Sequence, residues 1–156
     1  MSPQSTNHVL LVKPAEFYSN EQTIETNHYQ NTNNKKPRSE ILNEALVEFN
    51  QFEKNLLDHD IRVTTFLGQK GCPDNIFPNW AVTFDDQSMH IFSMLGKNRR
   101  LEKSKNHIQD LNRTYKTTLD YTEYENKSQF LEGTSSLVLD RVNRVAYMGI
   151  SPRSDE

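Results

Sequence analysis

One long amphipathic segment, set between short apolar runs, most constrains what this chain can fold into. After Pro37, Ser39 offers a helix N-cap, and Ile41, Leu42, Ala45, Leu46, Phe49, Phe52 and Leu56 recur at helical spacing. The spacing predicts a helix over residues 39–59. "IRVTTF" (61–66) follows at once; it alternates, is β-branched, and reads as a strand. So short a helix-to-strand connection belongs to an α/β unit. "HVLLVKP" (8–14), closed by Pro14, reads as a buried strand. The polar, Asn-rich stretch 15–37 reads as a long loop with a helical turn, and loops of that length are usually functional or mobile.

The second half repeats the mixture. "GQKGCPDNIFP" (68–78) carries two glycines and two prolines and is a loop. "NWAVTF" (79–84) and "MHIFSML" (89–95) form a hairpin about "DDQS". "KNRRLEKSKNHIQDLNRTY" after Gly96 carries Leu101, Ile108 and Leu111 as a thin apolar stripe and predicts one further helix. "KTTLDYT" reads as a strand, and "SSLVLDR" and "RVAYMGIS" as two strands about the tight turn "RVN". Strands and helices in this order give a mixed α/β domain with hairpins and crossovers. Helix, strand, loop and hairpin recur over 39–95 and 97–150, a pattern pointing to a pseudo-symmetric assembly.

Composition narrows the function. The 156 residues are enough for one domain with a real core, and 10% aromatic content argues against disorder. A net charge of -3, with Lys35–Lys36 and Arg99–Arg100 as the only basic clusters, leaves no footprint for nucleic acid or an anionic membrane. The single cysteine, Cys72, makes neither an internal disulfide nor a CxxC zinc site, which fits a reducing, cytoplasmic setting. No secretory leader and no run long enough to span a bilayer are visible. The five histidines (8, 28, 59, 90 and 107) lack metal-binding spacing, and neither a metal nor a cofactor is expected.

The candidate chemistry lies in acidic and basic loop residues. Asp74 follows a proline and precedes a strand; a turn aspartate bonded to its own backbone is the ordinary reading. Glu132, between Phe130–Leu131 and Gly133, is a poor turn residue among apolar neighbours. A buried carboxylate needs a partner, and an internal arginine or a cationic ligand would serve equally. Arg153 reads on its own as a solvated arginine, and Arg99 and Arg100 as helix-surface residues. Cys72 sits beside Asp74, whose charge would oppose a thiolate.

Taken together, "HVLLVKPAEFYSNEQTIETNHYQ", "PDNIFPNW", "NRRLEK", "FLEGTSSLVLDR" and "AYMGISPRSD" resemble, in order, the amino-terminal half of the amidinotransferase-like, arginine deiminase-related guanidine-modifying enzymes. The bacterial group that includes citrulline-utilisation hydrolases is the branch most resembled. The resemblance implies a pentein, or α/β propeller, present here in part, with about two to three ββαβ units of five. It implies a guanidino or ureido amino acid, arginine- or citrulline-like, as ligand. A late cysteine would attack the amidino or ureido carbon, and a histidine would move the proton.

Carried onto this chain, the resemblance makes Asp74 the carboxylate that orients the guanidinium, where planar two-point pairing favours a carboxylate. Glu132 becomes a second substrate-side or histidine-orienting carboxylate. Arg100, less surely Arg99, and Arg153 contact the substrate carboxylate, and Phe77 and Asn79 line the same loop. Trp80 stands where the close branch has a polar residue, which bears on substrate choice. The family's catalytic cysteine and histidine are expected beyond residue 156. The chain is therefore expected to be inactive alone, and to be truncated, split, or completed by a complementary chain or homo-oligomer. A non-catalytic module binding an arginine-like ligand or a protein partner is the alternative.

Overall fold

A computed structural model describes residues 4–27, 30 and 35–155. His28 and the middle of the predicted 15–37 loop lie outside the described residues. The chain divides into two compact units: Thr6–Phe77, and Pro78–Glu156 with Met1–Ser5.

In the first unit, β1 (His8–Lys13) pairs in parallel with β2 (Arg62–Leu67), Val9 opposite Val63 and Val12 opposite Phe66. The crossover between them carries α1 (Arg38–Asp58), as parallel strands require. The predicted helix is present, one residue earlier at each end. Its N-cap is Pro37 rather than Ser39: Pro37 holds a non-helical ψ of 143°, and its carbonyl accepts from Glu40 and Ile41. Ser39 is thus already helical. Val12, Phe66, Ala45 and Phe49 are buried, the last two from the helix face that the spacing selected. A single 3-10 turn, Ile24–Thr26, is the helical turn of the long loop.

In the second unit, β3 (Ala81–Thr83) and β4 (Ser88–Ile91) form the expected hairpin, and β5 (Thr117–Asp120) adds to β4 in parallel. Gln87 turns the hairpin with a φ of 64°. Trp80, Met89, Ile91 and Met94 form the buried cluster, with Ile108, Leu111 and Tyr115 packed against it. Trp80 is wholly buried there and packs as core.

The helix predicted after Gly96 is two helices, α2 (Lys97–Arg100) and α3 (Lys105–Leu111). Ser104 makes the break: its side chain accepts the His107 N–H at 3.1 Å and caps α3. Leu101 is exposed and leaves the stripe, whereas Ile108 and Leu111 keep it. A 3-10 segment, Thr122–Lys127, and the one-turn α4 (Gly133–Ser136) lead into β6 (Leu137–Asp140) and β7 (Val145–Met148), antiparallel about a turn in which Arg144 has a φ of 57°. The recurrence read at 39–95 straddles the division at Phe77 and coincides with neither unit. Among the described residues, no helix is long and apolar enough to cross a membrane.

Candidate functional site

Two groups of predicted site residues are found, one in each unit.

In the first unit, Asp74 sits in the turn after β2. The Asp74 carbonyl accepts the Phe77 N–H at 2.9 Å, and the Cys72 carbonyl accepts the Asn75 N–H at 3.1 Å. Asp74 is buried, and its Oδ2 accepts from Asn20 Nδ2 at 2.7 Å and Thr23 Oγ1 at 3.1 Å. Gln30 Nε2 in turn donates to Thr23 Oγ1 at 2.7 Å. The carboxylate is therefore held by the Asn-rich loop, not by its own backbone alone. Buried neutral donors of this kind satisfy a carboxylate without cancelling its charge. Asn20 and Thr23 could not have been singled out from sequence, since nothing distinguishes them from their polar neighbours. Phe77 is exposed beside this turn, and Cys72 is buried.

In the second unit, the segment leaving β4 forms a ledge. Glu132 is buried to 1% exposure, and its Oε1 accepts the Leu95 N–H at 3.2 Å. Its Oε2 makes no hydrogen bond and lies 3.7 Å from Arg153 Nη1. The backbone joins the same pair, the Glu132 N–H donating to the Arg153 carbonyl at 3.1 Å. An isolated β-bridge between Leu131 and Ser154 runs alongside. Of the two partners open to Glu132 in the sequence, an internal arginine is the one present, at ion-pair distance.

Arg100 grips the ledge from its other side. Its Nε donates to the Met94 carbonyl at 2.8 Å and its Nη2 to the Leu95 carbonyl at 3.3 Å. The guanidinium also lies over the Phe130 ring, 5.6 Å from its centre. Nη1 has no hydrogen-bond partner among the described residues. Leu95 thus holds Glu132 with its N–H and Arg100 with its carbonyl. Arg99, by contrast, is buried in an ion pair: its Nε lies 2.7 Å from Glu102 Oε1, and its Nη2 donates to Oε2 at 3.1 Å. Of the adjacent arginines, Arg100 is the one with donor capacity to spare.

Two residues missed by sequence reasoning steady this ledge. Glu125 accepts the Met94 N–H at 3.0 Å, pairs with Lys103, and lies 3.8 Å from Arg100 Nε. Lys103 also reaches the Phe92 carbonyl at 3.3 Å. Asn79 Oδ1 accepts from Thr134 at 2.8 Å, which places Asn79 beside α4, the helix that Glu132 precedes. Gly133 is required there by close approach: a Cβ would stand 2.7 Å from the Asn79 carbonyl and 3.0 Å from Phe92.

Within the second unit, the Glu132 oxygen that makes no hydrogen bond can accept an N–H, and Arg100 can donate to a carboxylate.

Several solved structures share this fold. ArgZ, an arginine dihydrolase from the ornithine–ammonia cycle in Cyanobacteria, superposes with a TM-score of 0.72 at 17% identity, over 95% of this chain and 21% of ArgZ. AgrE, solved as a variant with L-arginine bound, gives 0.68 at 19% identity, over 95% and 20%. A dimethylarginine dimethylaminohydrolase adduct gives 0.62 at 16% identity, over 95% and 50%. The chain thus spans about a fifth of the first two and half of the third. Among curated proteins none matches. The α/β fold is that of the pentein-superfamily, arginine-modifying enzymes. Within that class, the chain belongs to the eukaryotic N,N-dimethylarginine dimethylhydrolase family, whose model matches residues 13–156.

Proposed function

We propose that this chain supplies the substrate-holding part of an enzyme that acts on a guanidino or ureido amino acid, by hydrolysis of a C–N bond or amidino transfer. The observation that carries this reading is Glu132: a buried carboxylate with one oxygen fixed by the Leu95 N–H and the other without a hydrogen bond. Such an oxygen is costly to leave unfilled, and an N–H of the ligand fills it. In the family's pattern Asp74 orients the guanidino or ureido head, with Phe77 beside it. Arg100 and Arg153 receive the α-carboxylate, with Asn79 alongside. Arg99 holds its neighbour's helix through Glu102.

None of these residues is assigned as nucleophile or proton carrier. Cys72, the single thiol, is 1% exposed. A family-type mechanism, with thiolate attack on the amidino or ureido carbon and a histidine moving the proton, would draw those two groups from outside these residues. Positioning lowers a barrier only when the reacting groups are present, so the isolated chain is expected to bind without turning over. In propeller terms, residues 1–156 form the amino-terminal part of an amidinotransferase-like domain, with two to three ββαβ units of five. Apolar side chains are exposed, among them Val138, Tyr147 and Ile150, and such surface favours self-association or a complementary chain. A monodisperse monomer in light scattering at every concentration would contradict this expectation.

Calorimetry with L-arginine and L-citrulline tests the binding itself. Glu132→Gln removes the charge while keeping the shape, and is expected to weaken binding at least tenfold, about 1.4 kcal/mol. Arg100→Gln is expected to do the same. Binding unchanged in both variants, or none by the chain as it stands, sinks the reading. Turnover that disappears in Cys72→Ser would move the nucleophile to Cys72.

A further inference from the structure

Asn75 is the residue after Asp74, and it poses a problem that the fold does not solve. Its backbone N–H is spent on the Cys72 carbonyl, 3.1 Å away, which closes the turn. Its side chain is 1% exposed, yet neither Oδ1 nor Nδ2 has a hydrogen-bond partner. A buried amide with both ends unsatisfied is rare in folded proteins, because each unpaired end forfeits its hydration without recompense. A leucine would fill the same space without that cost. Gly68 lies alongside: a Cβ on it would make ordinary contact with Asn75 Cβ, at 3.5 Å.

We propose that Asn75 reads the head group of the ligand, and that it favours a ureido over a guanidino head. This rests on the assignment of Asp74 to that head group. The reasoning is a match of donors to acceptors. A carboxamide offers one acceptor oxygen and one donor NH2. A guanidinium carries donors only, so it can satisfy Oδ1 while leaving Nδ2 facing further N–H groups. A ureido group carries N–H donors and a carbonyl acceptor, and satisfies both ends at once. Asp74 accepts N–H groups from either head and does not separate them. Asn75 does, because its Nδ2 adds a donor beside Asp74 that makes no hydrogen bond. Since the amide makes no hydrogen bond, turning it toward a ligand breaks none, and rotation about the terminal bond of asparagine is soft.

The test uses the full chain and two commercial ligands, L-citrulline and L-arginine, with calorimetry for affinity and thermal unfolding for stability. The quantity read is the ratio of the two affinities. Asn75→Asp replaces the donor by an acceptor and adds a negative charge; it should move the ratio toward L-arginine by tenfold or more. Asn75→Leu removes both ends; it should weaken L-citrulline about tenfold, the equivalent of one good hydrogen-bonded contact, while raising the melting temperature.

A ratio unchanged in both variants overturns the inference, and a higher melting temperature with unchanged binding identifies the amide as one that meets only enclosed water. If either variant does not fold, the other still reads the ratio; if neither folds, Asn75 is structural and the inference fails. Asp74→Asn separates the levels. If it leaves both affinities intact, the assignment of Asp74 fails; if it abolishes them while the Asn75 variants keep the ratio, only the role of Asn75 fails.

Discussion

At the scale of single residues, most of what the second unit can do depends on how close two backbone segments come. Gly133 opens α4 directly after Glu132, and the Asn79 carbonyl occupies the place a side chain would take, 2.7 Å from where a Cβ would stand. Backbone cannot yield as a flexible side chain would, so Gly133→Ala must displace either Asn79 or the Glu132 turn. The expected cost is about 1–3 kcal/mol, and any loss of ligand affinity should come with it. Thermal unfolding and calorimetry on the same sample check this; an alanine variant as stable as the parent would show that the turn has slack. The sequence marked Glu132, Gly133, Arg100 and Arg153 because their neighbours form recognisable blocks. It could not say that Leu95 would join Glu132 to Arg100, since backbone groups carry no residue-specific signal. It ranked Arg100 above Arg99 by resemblance alone and could not see that Glu102, just past α2, takes Arg99 inward.

At the scale of elements, periodicity found what is long and packed, and missed what is short and capped. The α1 stripe spans many turns and its inward residues are buried, so spacing alone locates it. The stretch after Gly96 has the same apparent period, but Ser104 interrupts it with a cap, and a cap competes with helix continuation at a single residue. Glu125 escaped notice because it lies in a 3-10 segment and its partners, Met94 and Lys103, are distant in sequence.

The β6–β7 hairpin gives an element-scale prediction. Asn143 donates to both Asp140 carboxylate oxygens, by side chain to Oδ2 at 2.7 Å and by backbone to Oδ1 at 2.9 Å. The side-chain bond, then the backbone one, holds the Asp140 carboxyl below its ordinary value. With the folded value depressed, the brace is present above the unfolded aspartate range and is lost as pH falls through the lower folded value. Asp140 should therefore titrate below an ordinary aspartate by NMR, and return toward the ordinary value in Asn143→Ala. Equal titration in both proteins would remove the brace from the account.

At the scale of the whole molecule, the useful probe is already built in. Trp80 is the single tryptophan, and it is fully buried in the core of the unit that holds Glu132, Arg100 and Arg153. Its emission should be blue-shifted when that unit is folded and move to the red when it opens. A ligand that binds only the folded form raises stability by RT ln(1 + [L]/Kd), about 2.7 kcal/mol at a hundredfold excess over Kd. For a unit of this size that is an upward shift of several degrees in the melting transition seen by Trp80. L-arginine or L-citrulline should produce the shift in the parent chain, and Glu132→Gln should abolish it while leaving the ligand-free transition near its original place. The two halves of that result have different causes. Loss of the shift alone means that Glu132 meets the ligand. A collapse of the ligand-free transition as well means that its carboxylate is needed chiefly to hold Leu95 and Arg153 together. A parent chain whose transition ignores both ligands at millimolar concentration would leave this unit with a family's fold and no grip on the family's kind of molecule.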